Sequence, residues 1–439
     1  MLVRDTKAPS YETLRPFKNP DAPGNLGKFP GFPVYEGLSS YLADAKDHPD
    51  DVVRHVLATC AAYAYAKVDP PGTESTDTLA TMMARMGLEE NNCRIVSESV
   101  DAMLISSTAA IVQSSDKKVV ILAYRGTEPS NIMSWLTDVE IYSRDAAKFR
   151  VSNPRTGDSG AVDLHAGFYR NVRATRYEVL RALKRAMAGQ SILAAESGPG
   201  EGDLNGSRHI TPALYITGHS LGGAMAAIMG IMLMTDPQYK DSIGNNLRAV
   251  YTFGQPMIGP QALADAYEKI ENSAPVLRYV YRRDPVPHLP PRQTGGFAHF
   301  GREWHHDGKE WKETSADPAR QMRDILGLGQ AALAFVAEQN PILRRVPVGS
   351  LLSDHFPQHY VERLTPPGTL ISEFGDDQLI LPAGDPTPWP MPSFFRRIPQ
   401  DVVKTAQGVV DNSGRAVQIV LRAAENVGRA VGSTVTRQT

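Results

Sequence analysis

From about residue 50 onward, short apolar runs alternate with longer stretches whose apolar residues recur at helical spacing. The runs at Ala102–Ile105, Ala109–Gln113, Val119–Tyr124, Leu214–Thr217, Ala249–Phe253 and Val276–Tyr281 predict strands. Between them, Gly167–Met187, Gly222–Thr235 and Pro260–Ile270 predict helices. Strands that alternate with helices predict an α/β fold with a mainly parallel central sheet flanked by helices. Such sheets carry their functional groups at the carboxyl ends of the strands. Two more helices precede this series, Asp51–Ala66 and Thr76–Met86, the second stopped by Gly87.

The flanks read differently. Residues 1–48 are rich in proline, glycine and lysine and predict an irregular N-terminal arm. Ser197–Ser207, with Gly198, Gly200, Gly202 and Gly206, predicts a loop. Asp317–Gln339 and Asp401–Val431 carry apolar stripes at helical spacing, as extra C-terminal helices packed on their own domain would. Gly408, Gly414 and Gly428 weaken the second of these as a helix. No internal repeat interrupts the pattern.

Composition narrows the function classes. With 439 residues, 42% of them hydrophobic and 21% charged, the chain has the make-up of a globular protein with a sizeable core. A formal net charge of -2, without a basic run, argues against a nucleic-acid partner. No apolar run approaches the roughly 20 residues of a transmembrane helix. The first residues, Met1 to Lys7, lack the apolar core of a secretory signal. The expectation is a soluble protein, cytoplasmic or exported without a cleavable signal peptide. Cys60 and Cys93 are too few for a disulfide framework, and Cys60, on the apolar part of a helix, reads as a buried thiol.

Candidate chemistry enters at Thr217-Gly218-His219-Ser220-Leu221-Gly222-Gly223. A G-x-S-x-G pattern alone is weak, but here it lies between an apolar strand and a helix of small residues. A strand turning straight into a helix strains the backbone, and glycines two before and two after the serine leave room for it. The hydroxyl of Ser220 then stands at a helix N-terminus, where backbone N–H groups and the helix dipole favour developing negative charge. Such a serine needs a base, usually a histidine steered by a buried carboxylate. Asp284, in Arg283-Asp284-Pro285-Val286-Pro287, leaves the sheet after the strand Val276–Tyr281, at the same edge as Ser220. Asp265 is the poorer acid because it falls within a helix. Six histidines follow Asp284, namely His288, His299, His305, His306, His355 and His359, and the pattern leaves the choice among them open. His305 and His306 sit in Trp304-His305-His306-Asp307, which reads as an exposed polar turn rather than a metal site. For an oxyanion, Leu221 offers the N–H just after the serine. Thr127 in Arg125-Gly126-Thr127 offers another, after the strand Val119–Tyr124.

Taken together, these segments resemble the class 3 lipases of the α/β-hydrolase fold, the family of the filamentous-fungal triacylglycerol lipases. Tyr124-Arg125-Gly126-Thr127 is similar to the family's oxyanion segment, Gly218 to Gly223 to its nucleophile elbow, and Asp284 to Pro290 to its acid loop. Asn131 to Asp138 resembles its short lid and His165-Ala166-Gly167-Phe168 the start of the next helix. The family's catalytic histidine occurs as Asp-His with a tyrosine soon after; Asp354-His355 with Tyr360 fits, and His359 does not. The resemblance covers about residues 50–365 and implies a hydrolase domain over 49–365, with an insertion at 305–350 and a partly helical extension at 366–439. It implies Ser220, Asp284 and His355 as catalytic residues, Thr127 and Leu221 as oxyanion donors, and Ile132, Trp135 and Leu136 as lid or substrate-groove residues. It further implies a lipid ester substrate met at a lipid–water interface, with no cofactor and no metal. A phospholipase or lipid transacylase would use the same triad, and a lipid-binding protein without catalysis is the reading from another class.

Overall fold

The computed structural model describes residues 1–10, 33–66, 78–100, 105–126, 146–152, 159–193, 211–270, 273–289, 296–314, 353–367 and 369. Its strands, in chain order, are β1 (Leu2–Lys7), β2 (Asn92–Val100), β3 (Ile105–Gln113), β4 (Val119–Tyr124), β5 (Ala146–Ser152), β6 (Ser159–His165), β7 (Ala213–His219), β8 (Leu247–Phe253), β9 (Gly259–Pro260), β10 (Val276–Tyr281), β11 (Phe297–Ala298), β12 (Arg302–His306) and β13 (Trp311–Thr314). The helices are α1 (Leu38–Asp44), α2 (Asp51–Tyr63), α3 (Thr78–Met86), α4 (Ala166–Met187), α5 (Leu221–Thr235), α6 (Pro237–Lys240), α7 (Gln261–Glu268) and α8 (Pro357–Leu364).

Period-two alternation builds the layers. In β4, Val120, Leu122 and Tyr124 enter one core with residues of α4 and α5, while Val119, Ile121 and Ala123 enter a second core with α2 and α3. In β7, Leu214 and Ile216 face the first core and Ala213 and Tyr215 the second. Every residue of β4, β7 and β10 is buried, as expected of strands covered by helices on both faces. The sheet has nine strands in the order β1-β2-β3-β4-β7-β8-β10-β12-β13. Neighbours from β4 through β12 run parallel, and antiparallel strands complete both edges. This is the expected α/β sheet flanked by helices, with a parallel centre bearing the carboxyl ends of β4, β7, β8 and β10 side by side. Every residue of α5 is buried, which accounts for its apolar character all round.

Several elements depart from the sequence expectation. The region expected as an irregular arm contains β1, a charged edge strand held on β2 by the Arg94 fork on Asp5 at 2.7 and 2.6 Å. It also contains α1, which buries Leu38 and Leu42 one turn apart. Trp304-His305-His306 is not a polar turn: it lies in β12, parallel to β10, with His306 buried. The local signal for this hairpin was Asp307-Gly308, where the Asp307 carboxylate caps the turn to β13 by accepting from Lys309 N and Glu310 N at 2.8 and 3.1 Å. The hairpin of β5 and β6 was not among the expected strands, although Ala147-Lys148-Phe149-Arg150-Val151 and Val162-Asp163-Leu164-His165 alternate apolar and polar residues. Strand residues 102–104, the loop Ser197–Ser207 and the helical stretches Asp317–Gln339 and Asp401–Val431 lie outside the described residues. Both cysteines are free and buried, and burial pushes the Cys60 thiol up to about 12. Among the described residues no helix is long and apolar enough to cross a membrane.

Two buried histidines away from the sheet edge set an acid limit on stability. Burial holds His55 and His165 down to about 4. The unfolded chain takes up these protons below about pH 6.5 and the folded chain does not, so stability falls as pH drops from about 6.5 towards 4. The slope is about 1.4 kcal/mol per pH unit for each group. Urea midpoints are therefore expected to be clearly lower at pH 5 than at pH 7; equal midpoints would show that these rings become charged in the folded state.

Candidate active site

The carboxyl end of β7 delivers the serine. Ser220 follows His219 and precedes α5 at φ 59° and ψ -130°, a left-handed conformation that costs a non-glycine residue about 1–3 kcal/mol. The turn is held from several sides. Ser220 N–H donates to Phe253 O at 2.9 Å, and Gly223 N–H returns to Ser220 O at 2.9 Å. Glycine is obligatory at two of its positions. A Cβ on Gly218 would lie 2.2 Å from Gly222 O, and one on Gly222 would lie 2.1 Å from Tyr124 O. The second contact packs the turn directly against the end of β4, the strand that leads to Thr127. Leu221 is the first residue of α5, so its N–H belongs to those a helix leaves without an intrahelical acceptor.

The carboxyl end of β10 delivers the acid. Asp284 is fully buried, and its carboxylate accepts from Val286 N–H at 2.9 Å, which ties it to its own loop. Its two oxygens face His355 Nδ1 at 2.9 and 2.8 Å. A carboxylate only accepts, so Nδ1 carries a proton towards Asp284 and Nε2 is the ring nitrogen left for another partner. That Nε2 is buried and has no hydrogen-bond partner among the described residues. A buried acceptor left unpaired costs about 1–3 kcal/mol, and such an atom is what a general base requires before substrate arrives.

Among the six histidines open on sequence, the structure pairs His355 with Asp284. His359 instead stacks on Tyr281, with ring centroids 5.5 Å apart, and lies 3.9 Å from the Glu362 carboxylate. His299 and His305 bond the carbonyls of Pro287 and Arg282 at 2.6 and 2.8 Å. Thr127, Ile132, Trp135 and Leu136 lie outside the described residues.

Two residues at this edge act in ways the sequence did not announce. Tyr360, on α8, donates its hydroxyl to Asp284 Oδ2 at 2.5 Å and accepts from Tyr281 N–H at 3.1 Å. Burial, then the charge of Asp284, pushes this phenol well above its ordinary range, so it stays a donor. The tyrosine was visible as part of the Asp-His-Tyr pattern, but nothing local pointed its hydroxyl at the acid. Gly254, just after β8, has φ +59°, and a Cβ there would lie 2.7 Å from Asp284 Oδ2 and 2.9 Å from the His355 ring. Its absent side chain is what lets the acid and histidine meet beneath the serine-bearing turn.

Residues 121–294 match the family model described as Lipase (class 3). Triacylglycerol lipase OBL1 of Arabidopsis thaliana is 28% identical over 214 residues, 42% of this chain and 37% of that protein. A lipase of Rhizopus niveus is 29% identical over 201 residues, 46% of this chain and 42% of that protein. The chain thus spans less than half the length of these curated relatives. Among solved structures, lipase II from Rhizopus niveus aligns at 22% identity with a TM-score of 0.42, covering 58% of this chain and 80% of that one. Several motifs fall in order inside the matched segment, so residues 121–294 are similar to the class 3 lipase family.

Proposed function

We propose that the protein is a serine ester hydrolase that cleaves carboxylic esters of acylglycerols or related lipids. The observation that carries this reading is the buried Asp284–His355 pair, whose Nε2 has no hydrogen-bond partner among the described residues, together with a strained serine at a helix N-terminus at the end of a strand in the same sheet. In the proposed reaction, Ser220 Oγ bonds to the ester carbonyl carbon while its proton passes to His355 Nε2. Asp284 stabilises the imidazolium so formed, and the N–H groups of Leu221 and Thr127 hold the oxyanion. Collapse breaks the bond to the alcohol, which leaves with the proton from His355. Water then repeats the sequence on the acyl-enzyme, releasing the carboxylic acid and restoring Ser220. The chemistry requires no cofactor and no metal.

The catalytic domain in this proposal is residues 49–365, with 305–350 as an insertion and 366–439 as an extension. Ser130 to Asp138, with Ile132, Trp135 and Leu136, forms a lid over an apolar acyl groove and opens at a lipid–water interface. Activity on p-nitrophenyl esters of rising chain length, beside triolein and phosphatidylcholine, tests the substrate class. Turnover of the long-chain esters and triolein is expected to exceed that of phosphatidylcholine. Preference for phosphatidylcholine would move the reading to a phospholipase, and acyl transfer to an added alcohol in preference to water to a transacylase. The rate per unit of short-chain ester is expected to rise once the substrate aggregates; equal rates below and above that point would remove the lid from the proposal.

A further inference from the structure

His219 adjoins Ser220 in the chain, packs its ring against His355, and has a hydrogen-bond partner at each ring nitrogen. It is 2% exposed, and its ring lies 4.5 Å, centroid to centroid, from that of His355. Its Nε2 lies 2.6 Å from the His355 carbonyl oxygen and its Nδ1 lies 2.9 Å from the Tyr65 hydroxyl. Burial first, and then the neighbouring His355, holds His219 well below the ordinary histidine range, so the ring is neutral. A carbonyl only accepts, so Nε2 carries the single proton and Nδ1 accepts from Tyr65. The Tyr65 oxygen in turn accepts from Gly126 N–H. The hydrogen bonds run in one consistent direction, from Gly126 to Tyr65 to His219, and then from His219 to the His355 backbone.

The chain joins segments far apart in sequence. Tyr65 follows α2, Gly126 follows β4 and immediately precedes Thr127, and His219 precedes Ser220. Gly126 also has to be glycine for the link to form: a Cβ there would lie 2.0 Å from Tyr65 Oη and 2.6 Å from His219 O. We propose that His219 and Tyr65 are positioning residues that lock the backbone of His355 to the serine-bearing turn and to the end of β4 through neutral His219 Nε2–H and the Tyr65 hydroxyl. This inference rests on the serine-hydrolase reading above. His219 has to stay uncharged for the same reason, because a cation at 4.5 Å would oppose the imidazolium that His355 forms in each half-reaction.

The test is hydrolysis of p-nitrophenyl butyrate by the full chain, with rates expressed per site titrated to completion by a fluorophosphonate. His219→Leu removes both bonds and is expected to lower kcat per titrated site about 10²-fold, the scale of a small misplacement, with KM changed less than about threefold. His219→Gln keeps an N–H near the position of Nε2 and is expected to recover at least about tenfold of that loss. Tyr65→Phe keeps the ring shape and is expected to lower kcat about tenfold while the chain still folds, with Tm down by a few degrees because buried His219 Nδ1 loses its donor; it decides the matter if His219→Leu fails to fold. Equal losses in the Leu and Gln variants, or an unchanged kcat per titrated site in Tyr65→Phe, would overturn the positioning role. A wild-type chain that never labels at Ser220 would instead overturn the hydrolase reading itself.

Discussion

Ser220→Ala is expected to lower ester turnover by about 10⁴ to 10⁶, leaving only what substrate binding and the oxyanion donors supply. The fold should survive the change. Among the described residues no hydrogen bond from the Ser220 hydroxyl supports the turn, which is held by Ser220 N–H on Phe253 O and by Gly223 N–H on Ser220 O. Alanine occupies the same left-handed φ at a similar cost, so Tm is expected to shift by no more than a few degrees. Circular-dichroism melting, fluorophosphonate labelling and p-nitrophenyl ester hydrolysis on one preparation check this together. Labelling or turnover that persists in the alanine variant would mean that another residue is the nucleophile.

The second large effect is expected at the acid and base. Asp284→Asn is expected to cost about 10⁴ in kcat, because an amide offers one acceptor where the carboxylate offers two, and its NH2 favours the wrong tautomer of His355. Asp284 accepts from His355, Tyr360 and Val286, so an asparagine leaves at least one buried donor unpaired. A loss of about 1–3 kcal/mol in unfolding free energy should accompany the kinetic loss. His355→Ala is expected to fall nearly as far as Ser220→Ala, whereas His359→Ala should stay within about threefold of wild type because its ring faces Tyr281 and Glu362. The reverse order of effects at the two histidines would show that His359 is the base. Both readouts have to be normalised to folded protein, since the first variant is expected to lower stability as well as activity.

The two sets of expectations differ in how far they were legible in the chain. The nucleophile turn was readable because everything that makes it is local: an apolar strand, a serine flanked by glycines and a helix of small residues lie within about two dozen positions. The acid was readable as a strand-end aspartate, preferred to Asp265 because Asp265 falls within a helix. The base was not readable from pattern, since six histidines qualified and the family resemblance chose among them. Its contact with Asp284 spans 71 residues. Elements misread at the edges share a cause. β1 and β12 carry charged or aromatic polar residues whose strand character comes from the neighbours they pair with, not from their own alternation.

What the sequence determined by itself is therefore the set of parts whose physics is short-range. Period-two runs buried on both faces set the parallel centre of the sheet, helical periodicity set its flanking layers, and the glycines around Ser220 set a turn that few other residues permit. What only the tertiary structure decided is which side chains meet. His355 reaches Asp284 because Gly254 leaves room between them, Tyr360 reaches the same carboxylate from α8, and Tyr65 reaches His219 across a backbone that tolerates no Cβ at Gly126. Each of those contacts depends on the packing of strands and helices distant in the chain, and hydrogen bonds formed at such range leave no periodicity for a sequence to display.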